Sequence, residues 1–396
     1  MFKYIFAVVC LFAPHPASAQ GLQECTAAVF SPAAAEGHRP MLWKNRDTGE
    51  LSNRVVYVKE LPHSYLAVVD KDDPTGRVCW AGLNDAGFAI MNTASYNLPQ
   101  KKGEQADGEG LIMAQALRTC RTVADFEAFL KANLGPNLGA ATNFGVIDSE
   151  GNALLLEVHN HGVVRYEAGA APAKFLFVTN YSRSGTTTEG GGRIRMDRVL
   201  ELDRLRHPGP YSPQEILRDF ARDTGHPLVK STTWSQFHEL KAQPHWIHTR
   251  HTINRWDTAC SVVLVGRDPA RPGTRPMMWI LPGEPLVSVA LPLWVEGGTP
   301  PSVFFQGKEA PMWTETLRLK ALARPGYGAP EKQEYLDAAR LDNQAGTGFL
   351  PTLLKTEASI FERAKAFQTT PHTPAECSAF QTELANQAMT TLRAVR

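Results

Sequence analysis

The sequence has almost no excess of charge of either sign. Its 396 residues include 41 lysines and arginines and 40 aspartates and glutamates, which gives a formal net charge of +1. No long basic run occurs, and this argues against nucleic acid as a partner, because nucleic-acid-binding proteins need clustered cations to neutralise phosphates. With 43% hydrophobic and 20% charged residues, the composition is that of an ordinary globular protein.

Cysteine is scarce, with six in the chain. Their spacings are long and irregular and include no C-x-x-C, so the sequence predicts neither a zinc site nor a thioredoxin-like redox site. Cys10 lies in an apolar segment at the start of the chain, which leaves five cysteines beyond it. In an oxidising compartment an odd number means that at least one thiol stays free or pairs outside the chain.

Apolar runs of membrane-spanning length are absent, so we predict no stable membrane span. The chain starts with Met1-Phe2-Lys3, whose lysine is positively charged. An apolar run over residues 4–13 and the small-residue pattern Ala17-Ser18-Ala19 follow. This arrangement is typical of a secretory signal peptide cleaved after Ala19, since about ten apolar residues fall short of the roughly 20 that span a bilayer. We therefore expect an exported protein, periplasmic or secreted, that loses residues 1–19.

Doubly wound β-α-β alternation and internal repeats are also missing. The patterns along the chain predict strands, helices, strands, helices, strands and then a helical tail from about residue 353. Strands at 26–30 and 40–43 should pair around the loop 31–37, and the same reasoning predicts a helix over 216–222 and a strand over 286–290. This order favours an α+β fold, a four-layer α-β-β-α sandwich of antiparallel sheets, formed by one domain over residues 25–396.

One cluster of residues points to chemistry. The predicted hairpin places Cys25 close to Lys44, Arg46 and Asp47. Cations beside a thiol lower its pKa and favour the nucleophilic thiolate. A buried cysteine next to a surface ion cluster explains these residues equally well.

Seven segments, in this order, resemble the choloylglycine hydrolase and penicillin acyltransferase families of N-terminal-nucleophile hydrolases. They lie at residues 25–26, 43–47, 82–87, 143–148, 178–181, 193–198 and 258–263. The resemblance runs from residue 25 to residue 294. It implies a cysteine enzyme that hydrolyses a linear, small-molecule acyl amide through a thioester, without a cofactor or a metal.

The resemblance also implies how Cys25 is activated. In these families the α-amino group of the nucleophile is the general base, so Cys25 must become the first residue. Residues 20–24 would then be a short pro-segment, removed when the Cys25 thiol attacks the Glu24 carbonyl. Asp47 matches the carboxylate that orients the new amine, and Lys44 stands where the bile-salt enzymes have an arginine.

The remaining implied roles concern the oxyanion and an arginine. Asn180 matches an amide that donates to the tetrahedral oxyanion. Arg195 best matches the active-site arginine, with Arg193 and Arg198 as register alternatives. The second oxyanion asparagine of the family falls by counting at Ala94, so Asn92 could serve only if the strand register shifts.

Alternative functions remain open from the sequence. An acyltransferase of the same fold would form the same thioester and pass the acyl group to a different acceptor. A lipoprotein anchored at Cys25 has Leu22 at the expected position, but Gln23 and Glu24 are too large and polar for a lipobox. A papain-like protease would need Cys-Gly-Ser-Cys-Trp around its nucleophile, which this chain lacks.

Two further patterns are better explained without a ligand. His245, His248 and His251 are spaced by three, which spreads them around a helix and alternates them across a strand, so we predict no metal site there. The glycines at 190–192 lack the lysine of a phosphate-binding loop, and we interpret them as a flexible connection. The sequence sets neither the acyl group nor the oligomeric state.

Overall fold

The first two strands form the predicted hairpin at the centre of a sheet. In the computed structural model, which describes residues 24–271, 273–329 and 331–396, β1 (Glu24–Phe30) pairs antiparallel with β2 (Met41–Asp47). The predicted signal peptide lies outside the described residues, as does the predicted pro-segment except for Glu24. The loop between the strands is formed by two short 3₁₀ turns.

The other strands follow in chain order: β3 (Asn53–Val58), β4 (Tyr65–Asp70), β5 (Ala81–Asn84), β6 (Ala89–Ala94), β7 (Ala141–Ile147), β8 (Ala153–His159), β9 (Gly162–Glu167), β10 (Phe175–Val178), β11 (Trp246–His248), β12 (Thr258–Val265), β13 (Met277–Pro282), β14 (Leu291–Trp294) and β15 (Tyr335–Asp337). The helices are α1 (Glu109–Thr119), α2 (Val123–Asn133), α3 (Arg193–Leu205), α4 (Pro213–Glu215), α5 (Pro311–Ala323), α6 (Ala338–Leu341), α7 (Leu350–Phe367) and α8 (Pro374–Ala394).

Two large antiparallel sheets stack on each other. One has six strands in the order β10-β1-β2-β12-β13-β14, and the other has seven in the order β3-β4-β5-β6-β7-β8-β9. Strands β1 and β2 pack on β6, β7 and β8 across the interface. The two sheets approach so closely at Gly145 that a Cβ there would lie 3.0 Å from Val29 Cγ2 and 3.3 Å from Leu42 Cδ2 of the facing sheet.

Helices cover the outer face of each sheet. α1 packs on β5 and β6 of the seven-stranded sheet. Phe126 and Phe129 of α2 pack in the apolar core between these helices and that sheet. α3, α5, α7 and α8 lie over the six-stranded sheet. The predicted four-layer α-β-β-α sandwich is therefore confirmed, with β11 and β15 forming a small separate ribbon.

The helical tail is confirmed and completes one outer layer. α7 and α8 pack on β14, and Trp279 stacks on Phe361 with ring centroids 3.9 Å apart. Thr373 caps α8 by accepting a hydrogen bond from the Glu376 amide, and Pro374 occupies its first position. Among the described residues, no helix combines the length and the apolar character needed to cross a membrane.

Two predicted elements differ from the structure. The strand over 286–290 is wrong: Pro285–Val287 forms a 3₁₀ turn, and the strand begins only at Leu291. The short apolar run does not set its own period, and Pro285 favours a turn at that point. The helix over 216–222 is replaced by the three-residue α4 followed by a π-helical turn, Ile216–Phe220.

Candidate active site

Three strand ends meet at one edge of the six-stranded sheet. β1 begins where β2 ends, so Glu24 lies opposite Asp47 and Cys25 lies opposite Arg46. On the other side of β2, Thr258 at the start of β12 also lies opposite Asp47. The hairpin predicted from the sequence therefore brings Cys25 beside the charged end of β2, as expected.

Strand alternation sends the side chains of this edge in two directions. Residues opposite each other in an antiparallel pair share a face, so Cys25 faces the same way as Arg46 and Lys44. Arg46 reaches Asn53 and Asp70 of the seven-stranded sheet, which places this face between the sheets. Glu24, Thr26 and Asp47 lie on the opposite face, toward the outer helices. Cys25 is 4% exposed.

Lys44 lies close to the Cys25 thiol. Its ammonium donates to the Trp80 carbonyl oxygen at 2.9 Å and to Asn92 Oδ1 at 2.8 Å. Burial lowers the pKa of Lys44, and the neighbouring Cys25 opposes that fall. The structure thus places Asn92 as a partner of Lys44, and the Asn92 amide nitrogen donates to Thr142.

Asn180 contacts the nitrogen of Cys25. The Cys25 backbone N–H donates to Asn180 Oδ1 at 2.8 Å, and Arg195 donates to the same oxygen at 2.9 Å. Two donors converging on Oδ1 fix the orientation of the amide. Its nitrogen donates to the Ala94 carbonyl oxygen at 2.9 Å. The amide predicted to bind the oxyanion therefore also positions the Cys25 nitrogen while Glu24 is still attached.

Of the three candidate arginines, only Arg195 contacts Cys25. It is 1% exposed and donates to the Cys25 carbonyl oxygen at 2.5 Å and to Thr26 Oγ1 at 2.8 Å. Arg193 is exposed and donates to the carbonyl groups of residues 187 and 189. Arg198 forms a buried ion pair with Asp223.

Gly192, at the start of α3, makes room for this arginine. A Cβ on Gly192 would lie 2.6 Å from an Arg195 guanidinium nitrogen and 2.8 Å from Thr179 Cβ. Gly192 also has φ of 78°, a left-handed conformation that favours glycine. Of the glycines at 190–192, Gly192 therefore has a role beyond a flexible connection, because it leaves room for the Arg195 side chain.

Arg255 is a site residue that the sequence analysis missed. It lies in the turn before β12, donates a short hydrogen bond to Glu24, and lies 3.7 Å from Asp47 and 3.1 Å from Asp257. The signal was present as a group of charged residues directly before a buried strand. The segment that resembles the family starts at Thr258, three residues after Arg255.

One carboxylate oxygen of Asp47 accepts a hydrogen bond, and the other accepts none. Thr258 Oγ1 donates to Asp47 Oδ1 at 2.7 Å. Within the part of the chain that the structure describes, Oδ2 is buried and has no hydrogen-bond partner. Burial raises the pKa of Asp47, and Arg255 opposes the rise. A buried carboxylate oxygen without a partner is costly, so this position favours an incoming donor.

The other described cysteines do not share this setting. All five are free thiols. Burial raises the pKa of Cys79, Cys120, Cys260 and Cys377, which keeps each of them protonated and unreactive. Lys44 lies near both Cys25 and Cys260, so Cys25 is distinguished by Asn180 beside its nitrogen.

Two of the three spaced histidines, His245 and His248, make their contacts away from this cluster. His251 lies near the cluster: burial lowers its pKa, Arg255 adds to the fall and Glu24 opposes it. His248 hydrogen-bonds Glu334 at 2.8 Å, and His245 contacts Thr232 at 3.1 Å. Across residues 24–271, 273–329 and 331–396, no group of three or more histidine, cysteine, aspartate or glutamate side chains is arranged to hold a metal ion.

Residues 34–225 match a family model described as acyl-coenzyme A:6-aminopenicillanic acid acyl-transferase. The resemblance to the penicillin acyltransferases is confirmed. This penicillin acyltransferase match covers just under half of the chain and includes Lys44, Asp47, Asn180 and Arg195. It begins after Cys25 and ends before Arg255. The match therefore does not bear on those two residues.

Two solved structures with a distant similarity to this chain are named as an acylase and an amidase. A penicillin V acylase from Agrobacterium tumefaciens is 13% identical, with 68% of this chain and 86% of that chain covered and a TM-score of 0.39. A Caenorhabditis elegans ortholog of N-acylethanolamine-hydrolyzing acid amidase is also 13% identical, with 65% and 100% covered and a TM-score of 0.39. No curated protein matches in sequence. The similarity to the penicillin acyltransferases therefore rests on the family-model match over residues 34–225.

Proposed function

We propose that the protein is an exported amidase that cleaves itself before Cys25 and then hydrolyses a linear acyl amide through a Cys25 thioester. The observation that carries this proposal is the organisation of the site around the Cys25 nitrogen. Asn180 accepts a hydrogen bond from that nitrogen, and the adjacent Asp47 offers a buried oxygen without a donor. A free α-ammonium at Cys25 would supply the missing donor.

The first step converts the chain into the active form. The Cys25 thiol loses its proton and its sulfur attacks the Glu24 carbonyl carbon, while the Cys25 nitrogen leaves and takes up a proton. Water then hydrolyses the resulting thioester, which releases a carboxylate at Glu24 and a free thiol at Cys25. The new α-amine has an ordinary pKa of about 7.7–8.0 and can accept a proton near neutral pH.

In turnover the same amine acts as the base. It takes the proton of the Cys25 thiol, the sulfur attacks the substrate carbonyl, and the protonated amine returns its proton to the departing nitrogen. Water hydrolyses the acyl thioester and releases the acid. Lys44 lies where it favours the thiolate electrostatically, and Asp47 lies where it can orient the amine.

Acyl transfer is the second candidate, because the matched family model carries that description. Both reactions proceed through the same thioester and differ only in the acceptor. The lipoprotein alternative is disfavoured by the position of Cys25, because a diacylglycerol on its buried sulfur would have to fit between the two sheets.

The reaction class can be tested with three reagents. We expect amide hydrolysis to survive a chelator and to stop after thiol alkylation. Hydroxylamine should divert the acyl group to a hydroxamate at the expense of free acid, because a thioester reacts readily with this nucleophile. Mass spectrometry of the products, with and without each reagent, checks this. Activity that requires a divalent metal, or that survives full alkylation of Cys25, contradicts the proposal.

A separate prediction concerns Asn180. Replacing Asn180 with alanine removes the acceptor for the Cys25 nitrogen and an amide beside the reacting carbonyl, so turnover should fall by about 10²–10³-fold. The matched control is Asn143→Ala, since Asn143 is also fully buried but bonds Thr93, Thr179 and Ser182 and not Cys25, so its loss reports the structural effect of removing a buried amide beside this segment. Steady-state rates and thermal unfolding of both variants separate a catalytic from a folding effect. Equal rates in the two variants would argue against the role of Asn180.

A further inference from the structure

Glu24, the residue on the other side of the bond to be cleaved, is held by two buried arginines. Its Oε2 accepts a hydrogen bond from Arg195 at 2.8 Å and a shorter one from Arg255. Burial alone would raise the pKa of Glu24, but the positive charges of Arg255 and Arg195 outweigh it, and the pKa is lowered. The side chain is therefore bound as a carboxylate within a built anion site.

Cleavage before Cys25 removes this carboxylate and leaves its site behind. Arg255 keeps two acidic neighbours, Asp47 and Asp257. Arg195 is buried, and within the described residues Glu24 is the one carboxylate at ion-pair distance from it, with Asp47 acting on its charge from farther away. A buried guanidinium without a counter-ion is costly, so the vacated position favours another anion.

The position of Glu24 shows which half of a substrate would occupy this site. Glu24 lies on the carbonyl side of the bond that Cys25 attacks, so its acyl group would be carried on the Cys25 sulfur during self-cleavage. A substrate acyl group would be carried on the same sulfur during turnover. The two acyl groups therefore share their attachment point. The Cys25 sulfur and the Glu24 side chain lie on opposite faces of β1, so a substrate acyl chain has to pass around the start of this strand to reach the site that binds the Glu24 carboxylate.

We propose that Arg195 and Arg255 bind a carboxylate on the acyl group, so that the preferred substrates are monoamides of dicarboxylic acids. The acyl part of glutamate has five carbons with a carboxylate at the far end. Glutaryl is that same chain without the α-amino substituent, which makes a glutaryl amide the matching length. This inference rests on the proposed function, because it needs Cys25 to be freed by loss of Glu24.

The test compares acyl groups of equal length on one chromogenic amine. For the wild-type enzyme with Cys25 at its N-terminus, kcat/KM for glutaryl p-nitroanilide should exceed that for valeryl p-nitroanilide by about 10–100-fold, the range expected for a hydrogen bond to a charged group. Succinyl p-nitroanilide, one carbon shorter, should lie between them. Glutarate should also raise the unfolding temperature of the processed enzyme, whereas valerate should not.

Arginine variants test which residues set this preference. In Arg255→Met the ratio of the glutaryl to the valeryl kcat/KM should fall at least tenfold, and Arg255→Lys should restore part of it. Using the ratio removes any general loss of rate. Arg193→Met is the matched control, because Arg193 is an exposed arginine of α3 that does not contact Glu24, and its ratio should stay unchanged.

The outcomes separate this inference from the proposed function. A processed enzyme that hydrolyses valeryl and glutaryl amides equally, or neither of them, overturns the carboxylate site alone. A preference for N-valeryl amino acids would place the carboxylate on the departing amine and overturn it as well. An exported protein that keeps Glu24 at full activity overturns the proposed function, and this inference with it.

Discussion

Replacing Cys25 with alanine should abolish both self-cleavage and amide hydrolysis. In the proposed mechanism this residue supplies the attacking sulfur in both reactions and, once freed, the α-amine that activates it. Turnover should fall on the order of 10⁶-fold, the scale seen when a covalent nucleophile is removed. Intact mass and N-terminal sequencing should show that the Cys25→Ala protein retains residues 20–24, whereas the wild type begins at Cys25.

Cys260 offers a matched control for this experiment. It is a buried free thiol that lies opposite Arg46 across β2 and β12, as Cys25 does across β1 and β2. Burial raises its pKa to about 12, so it should be inert at neutral pH. Cys260→Ala should process and turn over normally. Processing that fails in Cys260→Ala but survives in Cys25→Ala would reverse the assignment of the nucleophile.

The hairpin that builds the site could be predicted because its determinants are local. Small and apolar residues predict β1, and the small-residue loop after it sets the return of β2. This local pairing was enough to bring Cys25 next to Asp47. Asn180 and Arg195 followed only from the family resemblance, since nothing local ties them to Cys25.

What the sequence could not supply is the arrangement of charges distant along the chain. Arg255 lies 231 positions from Glu24, and its role appears only when β12 aligns beside β2. From the sequence, Glu24 is only the last residue of the predicted pro-segment, because no sequence pattern indicates that its carboxylate is bound. The strand predicted over 286–290 failed for a related reason: a short apolar run fits several conformations until its packing is known.

The thiol and the backbone nitrogen of Cys25 have different neighbours in the site. The Cys25 thiol faces the space between the sheets, where Lys44 lies nearby. The Cys25 nitrogen donates a hydrogen bond to Asn180. Asp47 shares the outer-helix face with Glu24. Loss of Glu24 would therefore expose the new amine to Asp47 without requiring the thiol to leave its position near Lys44.

This separation predicts a large effect for Asp47→Asn. The substitution keeps the volume and the hydrogen bond from Thr258 but removes the charge that would hold the α-ammonium. Self-cleavage should slow, and turnover of the processed fraction should fall by about 10²–10⁴-fold, the range for loss of effective acid–base catalysis. The measurements are the rate of appearance of the Cys25 N-terminus and the steady-state rate per processed molecule.

The neighbouring Asp257 makes this prediction discriminating. Asp257 is buried and lies 3.1 Å from Arg255, so Asp257→Asn removes one negative charge from the same arginine that faces Asp47. It does not, however, lie opposite Glu24 in the strand register, as Asp47 does. If Asp47 acts by orienting the Cys25 amine, Asp257→Asn should process and turn over within about tenfold of the wild type, far above Asp47→Asn. Equal losses in the two variants would mean that Asp47 serves only to balance the charge of Arg255.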